Sequence, residues 1–103
     1  MANASETETL KNELKKALDQ AEWSWLLKHA ERDAVILVHT SLDLLDVGIK
    51  IAQDDTTAVA AWVGAHRLSK PTPAQLTEWN EVPTKKFQSL VVQPYVLIQE
   101  FVH

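Results

Sequence analysis

The sequence predicts a single small α+β domain, and three observations carry the prediction. The unbroken apolar run from Ala34 to Val38 reads as a strand covered on both faces. A second β-branched run, Leu90-Val91-Val92-Gln93-Pro94-Tyr95-Val96-Leu97-Ile98-Gln99-Glu100-Phe101, lies at the far end of the chain. Around and between these runs, apolar residues recur at helical spacing, so helices pack on a sheet whose parts pair across a long sequence separation. The expected sheet has a first strand near residues 34–39 and a long C-terminal strand near residues 87–101, bent at Pro94.

Taken in order, Ser5-x-x-Glu8 has the form of a capping box. Leu10, Leu14, Ala17, Leu18 and Ala21 follow at helical spacing and predict a first helix over residues 6–20. Trp23, Leu26, Leu27 and Ala30 form a stripe rotated away from the first, so the chain is expected to break near Ala21-Glu22 into two packed helices. A single rod of about 26 residues would run to about 39 Å, too long for a domain of this size. Trp25 falls off the second stripe and is expected to be half exposed. Asp33 opens the first strand. Beyond it, Thr40-x-x-Asp43 resembles a capping box, and a helix over residues 42–53 gathers Asp43, Asp46, Lys50 and Gln53 on one polar stripe. Gly48 lies nearly opposite that stripe and predicts a close contact with another backbone.

Asp54-Asp55 ends this helix and caps the next, whose inward residues are Val59, Trp62 and Val63. A turn from Gly64 to Lys70 leads to Thr72-Pro73-Ala74-Gln75. Here threonine takes the cap, proline the first helical position and glutamine the capping-box site of a short helix that buries Leu76 and Trp79. Pro83 stops that helix and Lys85-Lys86 lead into the last strand. Pro94 demands a bulge, a bend or an edge position, because it has no N–H for a ladder. The expected core holds Leu45, Ile49, Trp62, Leu76, Val91 and Leu97.

A chain of 103 residues is one domain, and it buries a core without disulfides or a structural metal. Residues 1–5 are expected to be a flexible tail. The absence of cysteine removes thiol nucleophiles, zinc-thiolate sites and disulfide frameworks, and agrees with a reducing compartment. No apolar run reaches membrane-spanning length and the N-terminal residues have no signal-peptide pattern, so the expected location is the cytoplasm. A net charge of −4 disfavours a general affinity for nucleic acid or an anionic membrane.

Several segments together resemble a known family. They are Trp23-Ser24-Trp25-Leu26, Ser41-Leu42-Asp43-Leu44-Leu45-Asp46-Val47, Asp54-Asp55, Ala61-Trp62, Leu68-x-Lys70, Trp79 and Leu90-Val91-Val92-Gln93-Pro94-Tyr95-Val96-Leu97-Ile98-Gln99-Glu100. The chain is similar, over nearly its whole length after Thr9, to a small bacterial family known as domain of unknown function twenty-two eighty-eight. Its most specific piece is the valine-rich run leading into proline, an aromatic residue and Val-Leu-Ile-Gln. Tyr95 and Phe87 stand where tryptophan is common in that pattern, and His66 stands at a helix-ending turn where glycine is typical. Histidine tolerates a left-handed conformation better than most residues, so the turn is expected to survive. The resemblance implies one domain and assigns no catalytic residue.

The residues themselves offer three candidate constellations. His39 ends the first strand just before a helix bearing Asp43 and Asp46, a place where α/β arrangements often hold ligands, and the three donors suit a small ligand or a divalent metal. The plainer reading has Asp43 supporting the helix dipole, Asp46 pairing with Lys50 and His39 solvated. Arg67, Lys70, Lys85 and Lys86 suggest weak nucleic-acid contact, but the short helix they flank, Ala74 to Glu81, carries two glutamates and no basic residue. Tyr95, Leu97, Gln99 and Phe101 are a candidate oligomer interface, because a C-terminal strand longer than its partner exposes unpaired backbone. No phosphate-cradling glycine loop or nucleophile elbow is present. The reading that follows is a non-catalytic interaction or regulatory module, self-associating and without a cofactor.

Overall fold

The computed structural model describes residues 4–101. The first helix, α1 (Ala4–Ala17), leads through Leu18 into an edge strand, β1 (Asp19–Glu22). Then come α2 (Trp23–Glu31), β2 (Val35–Val38), α3 (Leu44–Ala52), α4 (Thr56–Gly64), β3 (Leu68–Ser69), α5 (Pro73–Asn80), β4 (Lys86–Val92) and β5 (Tyr95–Gln99). The five strands form one mixed sheet in the order β1-β4-β5-β2-β3. β5 runs parallel to β2, with Ile36 opposite Leu97, and every other pair is antiparallel. The α+β class expected from the sequence is the observed one.

Side-chain alternation along the strands divides the interior into two apolar layers, one on each face of the sheet. On one face, Trp23 and Leu26 of α2 and Trp79 of α5 pack on Val35, Phe87, Val96 and Ile98. On the other, Leu44 and Val47 of α3 pack on Val38, Leu68, Leu90, Val92 and Leu97, with Leu14, Val59 and Trp62 around them. Helices therefore cover both faces, which is why β2 and β5 read as continuous apolar runs. Of the tail expected over residues 1–5, residues 1–3 lie outside the described residues. Ala4 and Ser5 belong to α1, and the capping side chain proposed for Ser5 also falls outside the description.

The C-terminal segment corrects the sequence reading. It is not one long strand bent at Pro94 but a hairpin, β4 and β5, which turns at Gln93-Pro94 and pairs Val92 with Tyr95 through to Gln88 with Gln99. The Gln93–Pro94 peptide is cis. A residue without an N–H interrupts a ladder least at its turn, and Pro94 stands there. β5 is then flanked on both sides, so the open edge expected along residues 95–101 does not exist. Leu97 is fully buried and Gln99 is 7% exposed, Phe101 is half-buried, and only Tyr95 keeps an exposed ring.

β1 is the second correction. Residues 19–20, expected to end the first helix, are extended and pair with Ser89 and Gln88. The backbone holds the strand in place, with Trp23 N donating to Lys85 O at 2.8 Å and Ser24 N to Pro83 O at 3.0 Å. Because β1 reaches only as far as Ser89, Val91 has no strand neighbour on that side and is exposed instead of core. Ile49 and Leu97 are buried as expected, whereas Leu45, Trp62 and Leu76 are half-buried at the margins of the layers.

The helix ends follow the sequence closely at three places. Asp55 caps α4 by accepting from Ala58 N at 3.1 Å. Thr72 and Gln75 of α5 make the full reciprocal capping box, at 3.1 and 2.9 Å. His66 adopts the left-handed conformation at φ 59° that closes the turn after α4. Asp33 and Asp54, also left-handed at φ 61° and 55°, end the turns after α2 and α3. Gly48 faces side chains rather than backbone: a Cβ there would stand 2.4 Å from Leu90 Cδ2, so the absent side chain is what lets α3 settle on β4.

Candidate functional site

β2 delivers the chain to the C-terminal end of the parallel β2–β5 pair, where His39, Asp43 and Asp46 were expected to converge. The local geometry is set by backbone first. His39 N donates to Arg67 O at 2.8 Å, extending the β2–β3 pairing by one residue, and Leu42 N donates to His39 O at 3.0 Å to make the turn. Ser41 N donates to His39 Nδ1 at 3.0 Å, which makes Nδ1 an acceptor and leaves the ring proton on Nε2. Ser41 Oγ lies 2.8 Å from the same nitrogen and accepts from Arg67 Nη1.

Asp43 is the N-cap of α3, so the helix begins at Leu44 rather than at residue 42 and the Thr40 cap is displaced by three residues. Its Oδ1 accepts from Leu45 N at 2.8 Å and Asp46 N at 3.2 Å. Lys50, read as the partner of Asp46, instead stands 3.5 Å from Asp55. Among the described residues, no three His, Asp or Glu side chains stand together where they could hold a metal ion. A hydroxyl beside an imidazole is the start of a nucleophile–base pair, but here the imidazole nitrogen is shared with a backbone N–H and all three groups lie on the open surface. The arrangement locks a turn. Asp43→Ala is expected to cost about 1 kcal/mol in chemical denaturation, the usual worth of a cap. Divalent metal should leave the melting temperature of the parent unchanged; a metal-dependent rise that the variant abolishes would make Asp43 a ligand instead.

Lys70, after β3, pairs with Asp33 at one edge of the sheet, while Lys85 pairs with Glu100 at 3.4 Å and lies 5.4 Å from the Phe87 ring centre. Lys86 sits on β4 opposite Glu22 of β1. Arg67 reaches Ser41.

A concavity lies elsewhere, at the opposite end of β2. A cleft of about 780 Å³ lies between α4 and the sheet, floored by Ile36, Ile51, Leu68 and Tyr95 and walled by Val59 and Val63. Its rim carries Arg32, Lys70, Asp33, Asp54 and Asp55. This volume is within the range of small-molecule and peptide sites, and its floor is apolar as such sites are. Asp54 and Asp55 thus lie at its edge, with Asp55 engaged as a cap. A smaller hollow of about 340 Å³ lies beside Trp25 and His29, whose rings are 4.8 Å apart. The sequence reading missed the 780 Å³ cleft because Val63 was taken as inward, whereas it is 53% exposed at the cleft's lip. The one signal for it is the run Thr56 to Ala65, ten residues without a charge.

Fold and surface together define a small α+β domain with a five-stranded mixed sheet, helices on both faces, and an apolar cleft beside one exposed helix. No helix among the described residues is long and apolar enough to cross a membrane. The chain belongs to the family described as protein of unknown function DUF2288, whose model matches residues 9–100. It is similar to PA1075 from Pseudomonas aeruginosa, known from a solution NMR structure, with 30% sequence identity and a TM-score of 0.78. That similarity covers 100% of this chain and 94% of the other. No curated protein matches the sequence significantly.

Proposed function

We propose that the protein is a non-catalytic interaction module of the cytoplasm, which works through α4 and the cleft beside it. One contrast supports this reading. At the C-terminal end of β2, the side chains with chemistry are held in turn and cap bonds, whereas α4 offers an uncharged surface with no buried residue. An apolar helix on the outside of a domain has a free energy of contact still to be realised, of about 25 cal/mol for each Å² it covers. The cytoplasmic assignment rests on a chain without cysteine.

Native mass spectrometry of the protein purified from its own host tests the reading. The parent should retain a bound polypeptide, and Val63→Lys, which alters only an exposed position, should lose it. A bare single chain for both would overturn the assignment.

A further inference from the structure

α2 carries two tryptophans with opposite fates. Trp23 is enclosed between helix and sheet, whereas Trp25 is 50% exposed on the outer side of the same helix. By helical spacing Trp25, Lys28, His29 and Arg32 share one face, and with Ser24 they line the hollow of about 340 Å³. Contacts within the face hold it in place. Arg32 Nη2 donates to His29 Nδ1 at 3.0 Å, which leaves the ring proton on Nε2, and the half-buried imidazole rests beside the indole at 4.8 Å between ring centres. Basic side chains at the end of a helix ordinarily complement its macrodipole, which accounts for Lys28 and Arg32 but not for an open indole beside them. Among the described residues no carboxylate stands within ion-pair distance of either cation, whereas Lys50, Lys70 and Lys85 are each paired.

We propose that this face binds a nucleoside monophosphate, with its base on the Trp25 indole and its phosphate between Lys28 and Arg32. The site lies on a different helix from α4 and is tested independently of the interaction reading. Different features select the two halves of the ligand. An exposed indole offers a flat π-face on which any base can stack. The Arg32 guanidinium matches phosphate oxygens with two parallel N–H bonds, and the Lys28 ammonium adds a point charge. Lys28 and Arg32 stand about 4.5 and 10 Å beyond Trp25 along the helix axis, so a base on the indole places its phosphate near them. A lone anion leaves the indole unused, and an uncharged aromatic leaves both cations unpaired. The hollow is at the lower end of the size range of small-molecule sites, as one nucleotide requires. A polynucleotide fits less well. Glu22 and Glu31 stand at the two ends of α2, exposed Glu78 and Glu81 lie on and after the neighbouring α5, and the net charge is −4, so the surroundings repel a train of phosphates. Asp33, next to Arg32, is taken by Lys70.

Titration of the full chain with adenosine monophosphate, followed by amide and indole N–H shifts in NMR spectra, tests the site. Saturable shifts are expected at the Trp25 indole N–H and at the backbone amides of Lys28, His29 and Arg32. Trp25→Ala and, independently, Arg32→Gln should each raise the dissociation constant about tenfold or more, the first by removing the stacking face and the second by removing the phosphate fork. Both positions are exposed, so both variants should keep the dispersed spectrum of the parent. Adenosine and inorganic phosphate, each alone, should bind at least about tenfold more weakly than the intact nucleotide. The absence of saturable shifts at millimolar adenosine monophosphate overturns the proposal, as does binding that either variant leaves unchanged. Equal binding of adenosine removes the phosphate from the recognition and overturns it too. A single-stranded oligoadenylate that binds far more tightly than the monophosphate, with an affinity falling steeply with salt, overturns it in favour of a polynucleotide surface.

Discussion

Trp23→Ala is expected to lower the stability of the domain by about 3–5 kcal/mol, the usual cost of emptying a large aromatic site in a core. Trp23 is fully buried at the start of α2, with its ring 5.0 Å from Trp79 at an interplanar angle of 63° and 6.1 Å from Phe87. Edge-on contacts of this kind add to the burial itself. The indole Nε1 also donates to Asn80 Oδ1 at 2.7 Å, tying α2 to the end of α5. The alanine variant loses the ring contacts and the bond together, and the space left between helix and sheet is too large to close. Against a total of about 5–15 kcal/mol for a domain of this class, the loss is a large share. Trp25→Ala, two residues on but half exposed, should stay within about 0.5 kcal/mol. Urea denaturation of both variants checks the pair; equal small losses would mean that α2 is not anchored by Trp23.

Gln99→Glu is expected to cost about 3 kcal/mol or more at neutral pH, although it changes one side chain by a single functional group. Gln99 Nε2 donates to His39 O at 3.0 Å and to Leu42 O at 2.7 Å, and the side chain is nearly enclosed. These two bonds hold the loop that joins β2 to α3, and with it the cap made by Asp43. A carboxylate in the same place offers no donor: Leu42 O loses the amide bond, His39 O keeps only the bond from Leu42 N, and both face an oxygen of like partial charge. Burial and the two oxygens hold the introduced carboxyl above the ordinary glutamate range, so its protonated form is favoured in the folded state. Protonation returns one donor. The deficit should therefore shrink as the pH falls and grow as it rises through that raised value. Denaturation at pH 4 and pH 7 reads this directly, and a variant as stable as the parent at both would show that the amide bonds do not hold the loop. Faster amide exchange at Ser41 and Leu42 in the variant is the accompanying local sign.

Much of the helical architecture was legible in the sequence because it is set by neighbours. Asp55 caps α4 and Thr72 with Gln75 caps α5 through bonds that span three residues, and such bonds leave a pattern that can be read without knowing the fold. His66 sits in the left-handed turn for an equally local reason. Trp23 and Trp79 fall on stripes that the helical period alone turns inward, and both are buried. Asp43 shows the limit of this reading. Its carboxylate was assigned to the helix start correctly in kind, but Thr40 and Asp43 have cap-like chemistry alike, and the turn at His39 decided between them.

What depends on distant partners was not legible. β1 is three polar residues and Ala21, whose extended form comes from Lys86 to Ser89 across the sheet, and no property of Asp19 to Glu22 signals it. Gln99 was read as a surface residue of a free edge, and only the packing of β5 between β4 and β2 turned it into an internal bracket. Val63 carries the same hydrophobic label as Val47, yet α3 lies on the sheet and α4 lies beside it, so one is enclosed and the other faces the cleft. The sequence by itself determined which segments are helical, where several of them start, and that apolar strands lie between helices, because these follow from contacts within a turn or two. The pairing of β4 with β5, the central place of β5 and the uncovered face of α4 were decided only by tertiary structure, because each depends on which distant surface a side chain meets.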